Sequence, residues 1–189
     1  MIIPQGVKQR DLFRVLLLTA LFLFTLKCFS LLLRQHIALI QHPYQVELNE
    51  GSSLNLAKAM AEGQNPYILE NQPWLYDNFG IMYPLVSWPF TRLFGMNLFS
   101  MRLTSALAIG LCMILVFLAL FKSKVGWVMS FTGSVIFYGC VLYYVSPICR
   151  ADSLAMLFLM LSVIVPVISR FHGKGLFLAG VFSILSFYT

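Results

Sequence analysis

The sequence predicts an all-α fold, a polytopic bundle of transmembrane helices. Three observations carry this expectation. The 189 residues are 59% hydrophobic and only 11% charged, with a mean hydropathy of +0.82, whereas soluble domains are nearer half apolar and a quarter charged. The apolar residues fall in long uncharged runs. Apart from Asp11, the acids are confined to alternate links between those runs, and the links at 122–124 and 170–174 are purely basic. Inside a bilayer every backbone amide must find its partner within the protein, and a helix satisfies that need within one segment.

The first run, 15–33, has 19 residues and one charge, Lys27. At 1.5 Å per residue it approaches the roughly 30 Å of hydrocarbon. Lys8, Arg10 and Arg14 precede it as the n-region of a signal peptide would. It exceeds the roughly 7–15 residues of an h-region, and no A-x-A site follows, so a retained anchor is predicted. Lys27 lies near its outer end, within snorkelling reach of the headgroups. Further spans are predicted at 103–121, 125–148 and 153–169, and a partial fifth at 175–189. The chain reads as one membrane domain over 1–189, the N-terminal piece of a longer protein. The four cysteines, Cys28, Cys112, Cys140 and Cys149, show neither zinc-site nor disulfide-scaffold spacing and read as packing residues.

Residues 34–102 form an outer segment with two short interfacial helices, near 50–62 and 82–94. The run 79–91 holds Pro84 and Pro89 and is too short to cross. If it does not cross, the cytoplasmic side receives Lys8, Arg10, Arg14, Lys122, Lys124, Arg170 and Lys174, with Asp11 its one acid. The other side receives Glu47, Glu50, Glu62, Glu70, Asp77 and Asp152. Crossing would send four of those seven basic residues outside, against the positive-inside rule. The N-terminus is therefore predicted to be cytoplasmic in a multi-pass bacterial inner-membrane or plasma-membrane protein. The net charge of +6 is then a topology signal, and no nucleic-acid partner follows from it.

The polar stretch VELNEGSSLNLAKAMAEGQNPY, 46–67, follows the first span. Asn49, Ser52 and Ser53 are candidate N-caps and Gly63 a helix stop. Leu54, Ala57 and Ala61 share one side, as i, i+3 and i+7, and Leu56, Ala59 and Met60 widen that face, which predicts an amphipathic helix on the membrane surface. The sequence 63–80 then reads as an irregular loop whose Tyr67, Trp74 and Tyr76 suit an interface or a sugar-facing wall. Asp152 opens the fourth span on the same face as Glu50, two residues after Arg150. A carboxylate there can act as general base towards a hydroxyl, and an arginine fork can hold a phosphate. Either feature also has a plainer role, as a helix-dipole partner or as a solvated turn.

Several short motifs occur in a particular order: NEG at 49–51, a Gly-x-x-Pro-Tyr turn at 63–67, YPLVSWPFTRLFG at 83–95, RLTSAL at 102–107 and RADS at 150–153. In this order the chain resembles the N-terminal half of the type C membrane glycosyltransferases, which include protein mannosyltransferases and aminoarabinose-lipid A transferases. The resemblance implies transfer of a sugar, with inversion, from a polyprenyl-phosphate donor to a glycan, lipid or protein acceptor at the outer face. It implies catalytic roles for Glu50 and Asp152. For the substrate it implies Arg150, Lys58, Arg92 and Arg102, treated as outward-facing cations, with Tyr67 and Tyr83. A divalent metal is possible within that chemistry. Many members carry Asp-Glu at the first site, where this chain has Asn49-Glu50. The alternatives are a transporter or flippase fragment and a non-catalytic scaffold subunit. Uncharged second and third spans speak against the transporter, and the absence of GxxxG faces speaks against the scaffold.

Overall fold

The computed structural model describes residues 5–71, 80–142 and 147–189. Among these residues it is all-helical: α1 (Gln5–Gln41), α2 (Leu48–Ala61), α3 (Met82–Phe94), α4 (Leu98–Lys122), α5 (Trp127–Leu142), α6 (Asp152–Ile168) and α7 (Gly173–Phe187), with one 3-10 turn at Leu69–Asn71. Two of them, α1 and α4, are long and apolar enough to cross a membrane by length and composition. The helices α5, α6 and α7 are apolar but shorter.

Both long helices outrun the apolar runs that announced them. α1 continues to Gln41, so the link after it is shorter than the expected start at 34. α4 begins at Leu98 because Asn97 caps it: the Asn97 side chain accepts the Ser100 N–H at 3.0 Å, satisfying one of the orphan donors of the first turn. α5 stops short of its expected end at 148, since Pro147 and Ile148 lie in bends. α2 starts at Leu48 with Glu47 as N-cap, earlier than the Asn49, Ser52 or Ser53 caps expected. It ends as expected at Gly63, whose φ of +78° suits a residue without Cβ. There the N–H groups of Gly63 and Gln64 bond to the carbonyls of Met60 and Ala59, a Schellman closure.

α1 and α5 run side by side in the same direction, joined by Phe22 on Trp127 and by a Thr25–Thr132 hydroxyl pair at 3.2 Å. α6 and α7 are antiparallel, with the Ser186 hydroxyl donating to the carbonyl of Ala155 at 2.9 Å. The core lies between α4 and α6, where Met101, Ala108 and Cys112 meet Ala151, Leu154 and Leu157. α2 and α3 pack against each other and against α4. The buried face of α2 is Glu50, Ser53, Leu56, Ala57 and Ala59; Leu56, Ala57 and Ala59 belong to the expected apolar face, while Ala61 is exposed. A buried glutamate at the head of that face sets up the site.

Candidate functional site

Arg102 lies one turn into α4 and is fully buried, and so is Glu50 in the first turn of α2. They meet in a two-point contact: Nε to Oε1 and Nη2 to Oε2, each 2.7 Å. The remaining guanidinium hydrogens go to backbone carbonyls where α1 ends. Nη1 donates to Leu39 and His42 at 2.9 and 2.5 Å, and Nη2 to Tyr44 at 2.8 Å. All five donors of the arginine fork are thereby used. Glu50 is equally saturated. Its Oε1 also accepts the N–H of Cys149 at 2.8 Å, and its Oε2 accepts the N–H of Val46 at 2.7 Å. One ion pair therefore ties together the end of α1, the head of α2, the start of α4 and the link into α6.

The electrostatics follow from that geometry. Burial alone raises the Glu50 carboxyl, because a charge out of water is costly. The Arg102 hydrogen bonds, the Cys149 and Val46 amides and the arginine charge together outweigh burial and hold it below the usual glutamate value. A carboxylate with its lone pairs already taken is a poor base towards a substrate hydroxyl. In this structure Glu50 positions other groups.

A more open layer sits beside this lock. Arg150 lies between Glu47 (Nη1 to Oε1, 3.4 Å) and Asp152 (Nε to Oδ2, 2.6 Å). The Asp152 contact is an ion pair with poor hydrogen-bond angles. The three side chains are 28%, 32% and 44% exposed for Arg150, Glu47 and Asp152, with Glu47 Oε2, Arg150 Nε and Asp152 Oδ2 turned inward. Asn49 Nδ2 donates to Glu47 Oε1 at 2.9 Å. Asp152 is the first residue of α6 and Glu47 caps α2, and a helix N-terminus favours negative charge at both places.

Tyr83 connects the two layers from α3. Its hydroxyl donates to the carbonyl of Met101 at 2.9 Å and accepts from the Ser105 hydroxyl at 2.8 Å, whose proton is shared with the carbonyl of Arg150 at 3.2 Å. Burial pushes the Tyr83 phenol well above its ordinary range. Burial likewise pushes the Cys149 thiol up to about 12, so it is a packing thiol and not a nucleophile.

The expected residues thus divide. Glu50, Arg102, Arg150, Asp152 and Tyr83 are brought into one network, although Glu50 and Asp152 are about a hundred positions apart. Two expectations are corrected. Arg102 does not face outward, because its guanidinium is consumed by Glu50 and three carbonyls. Tyr83 does not face a substrate, because it is buried as a strut between α3 and α4. Lys58 is exposed on α2. Arg92 lies over the Trp88 ring at 5.3 Å on α3, a cation–π contact. The Tyr67 N–H bonds to the Asn65 side chain in a turn beyond α2. Trp74 and Tyr76 lie outside the described residues. Among the described residues no three His, Cys, Asp or Glu side chains gather as metal ligands.

The chain matches no protein-family model, no curated protein and no solved structure. Its chemistry must be read from the site itself. Missed in the sequence were the saturating partners: the amides of Val46 and Cys149, the carbonyls of Leu39, His42 and Tyr44, and the Ser105 bridge. Backbone groups leave no signature in composition. One signal was nonetheless present. An arginine next to a long apolar run needs an acid once it is buried, and Glu50 lies in the first turn of α2, in the same polar segment.

Proposed function

We propose that the protein is a multi-pass membrane glycosyltransferase, or the N-terminal part of one, that moves a sugar from a polyprenyl-phosphate donor to an acceptor hydroxyl at the outer face. The observation that carries the reading is the half-exposed Glu47–Arg150–Asp152 layer, held beside the buried Glu50–Arg102 pair at one end of the bundle. The resemblance of the ordered motifs to the type C enzymes supplies the substrate class. In this reading α1, α4, α5, α6 and α7 alternate across the bilayer, with the basic residues Lys122, Lys124, Arg170 and Lys174 at the cytoplasmic end. The 15–17 residues of α5, α6 and α7 give about 23–26 Å of helix, within reach of a locally thinned membrane.

The roles divide by accessibility. Asp152 takes the proton of the acceptor hydroxyl, whose oxygen forms the new bond to the anomeric carbon. The bond from that carbon to the donor phosphate oxygen breaks, and polyprenyl phosphate leaves with the electron pair. Arg150 holds the leaving phosphate through a charge-assisted contact. Glu50 and Arg102 act as positioning residues, fixing the Cys149 amide and with it the adjacent Arg150. The test is sugar release from a labelled polyprenyl-phosphate donor by membranes containing the protein. Asp152→Asn is expected to lower transfer by about 100-fold or more, the usual contribution of a general base, with helicity unchanged. Equal rates for Asp152→Asn and the unsubstituted protein would remove Asp152 from the mechanism.

A further inference from the structure

A second feature lies at the opposite end of the bundle, where α4 and α6 finish. A cleft of about 370 Å³ opens between them, a volume within the range of ligand sites. It runs from Leu115 to Ser123 on one side and from Val163 to Ile168 on the other, so it reaches about 12 Å along α4. That wall belongs to a helix long and apolar enough to cross a membrane. The lining is aliphatic apart from Lys122, in the last turn of α4, and Ser123, whose hydroxyl donates to the carbonyl of Ala119 at 2.9 Å. Lys122 is exposed, and among the described residues it has no ion-pair partner. Arg170, two residues beyond the α6 wall, is exposed and equally without one. Lys124 and Lys174 add two more cations to this end. From α4 to α7 the one acid in the sequence is Asp152, which opens α6 at the far end.

From this combination we infer that the cleft holds one acyl chain of an anionic membrane phospholipid, with the lipid phosphate at Lys122 and Arg170. Charge complementarity chooses the occupant. A lysine stem lies along an apolar wall and delivers its ammonium to the rim, where a phospholipid carries its phosphate above its chain. The Arg170 guanidinium offers a fork to the same phosphate. A zwitterionic lipid brings a cation to an end with no acid on α4–α7 to receive it. A second copy of the chain in the same orientation would bring four more cations. Basic pockets between membrane helices take anionic headgroups for this reason, and each nearby cation is worth about five-fold in affinity. The assignment concerns the end of the bundle away from Glu50 and Asp152 and does not depend on glycosyl transfer.

Ala119 lines the cleft, so Ala119→Phe fills it; Gly180→Phe on α7, where an added Cβ meets nothing within 4 Å, is its control. The experiment uses the full chain in detergent micelles with a phosphatidylglycerol carrying a diazirine in mid-chain, followed by irradiation and peptide mapping. Adducts are expected on 115–123 and 163–168. They should fall about ten-fold in Ala119→Phe and persist in Gly180→Phe. Unlabelled phosphatidylglycerol should displace the probe about five-fold better than phosphatidylcholine of the same chains. Lys122→Gln should erase most of that preference, as should raised salt, whereas Arg34→Gln, at an exposed cation on α1, should leave it unchanged. If Ala119→Phe fails to fold, Ala119→Leu and the Lys122→Gln comparison carry the test. Adducts spread evenly over all exposed apolar faces would mean annular lipid only and would overturn the assignment. So would undiminished labelling of a folded cleft-filling variant, equal competition by the two lipids, or an unchanged preference in Lys122→Gln. Displacement by glycerol phosphate as readily as by phosphatidylglycerol would reduce the site to an anion contact without a chain, and protection of 115–123 within a dimer would give the cleft to a second copy; either result also overturns it.

Discussion

Replacing Arg102 by methionine removes five donors at once while keeping an unbranched apolar stem in the same space. The Glu50 carboxylate is then left with no exposed surface and no countercharge, retaining only the Cys149 and Val46 amides. The His42 and Tyr44 carbonyls also lose the guanidinium, while the Leu39 carbonyl keeps the His42 N–H. Breaking a buried pair by removing one partner costs about 3–5 kcal/mol. An orphaned buried acceptor costs about 1–3 kcal/mol, but His42 and Tyr44 are exposed residues whose carbonyls recover water. The expected loss for Arg102→Met is therefore about 3–5 kcal/mol, not the sum of five broken bonds. Glu50→Leu alone is expected to cost a similar amount, because it strands the guanidinium. The double variant strands neither charge, so it should lose about 3 kcal/mol less than the two singles added together, at the upper end of coupling for contacting residues. Unfolding of the chain in mixed micelles, followed by far-ultraviolet circular dichroism as a denaturing detergent is raised, measures all three. An Arg102→Met midpoint equal to that of the unsubstituted chain, or strict additivity in the double variant, would refute the view of this pair as the clamp between α1, α2 and α4.

Three further outcomes follow from the same network. Because the Glu50 carboxyl is held below its ordinary value of 4.5, the unfolded chain binds this proton more readily than the folded one. Its stabilising contribution is thus complete above about pH 4.5 and is lost as pH falls through the lower folded value; unfolding midpoints measured down to about pH 3 should show that fall, and Glu50→Gln should flatten it. The Cys149 thiol, buried and pushed up to about 12, should resist alkylation at pH about 8 in the folded chain and react on unfolding; rapid modification of the folded chain, read by mass spectrometry, would contradict the packing around it. With the native cysteines replaced, single cysteines at exposed Lys58 of α2 and half-exposed Asp152 of α6 should both label with an impermeant thiol reagent added to intact cells, and labelling at only one would place α2 and the start of α6 on opposite faces.

How much of this was legible beforehand depended on how local the cause was. Apolar runs demand helices wherever lipid or a packed core is the solvent, so every predicted run returned as a helix. α3 returned at 82–94 as expected, and the stop at Gly63 was legible because left-handed backbone favours glycine. Two of the errors share one origin. Runs were ended at charges, but a charge need not end a helix. α1 continues past the exposed Arg34 to Gln41, and α4 begins at Leu98, ahead of Arg102, whose charge is paired with Glu50.

The sequence by itself determined that this is a chain of apolar helices, because hydropathy is a property of each segment alone. It also placed Glu50, Arg102, Arg150 and Asp152 near one end. Only the tertiary structure decided which of them are spent on the fold. Glu50 and Arg102 stand 52 positions apart, and their pairing depends on how α1, α2 and α4 converge. That convergence saturates Glu50 and leaves Asp152 and Arg150 open, because backbone amides and carbonyls, invisible in the order of side chains, fill one carboxylate's lone pairs and not the other's.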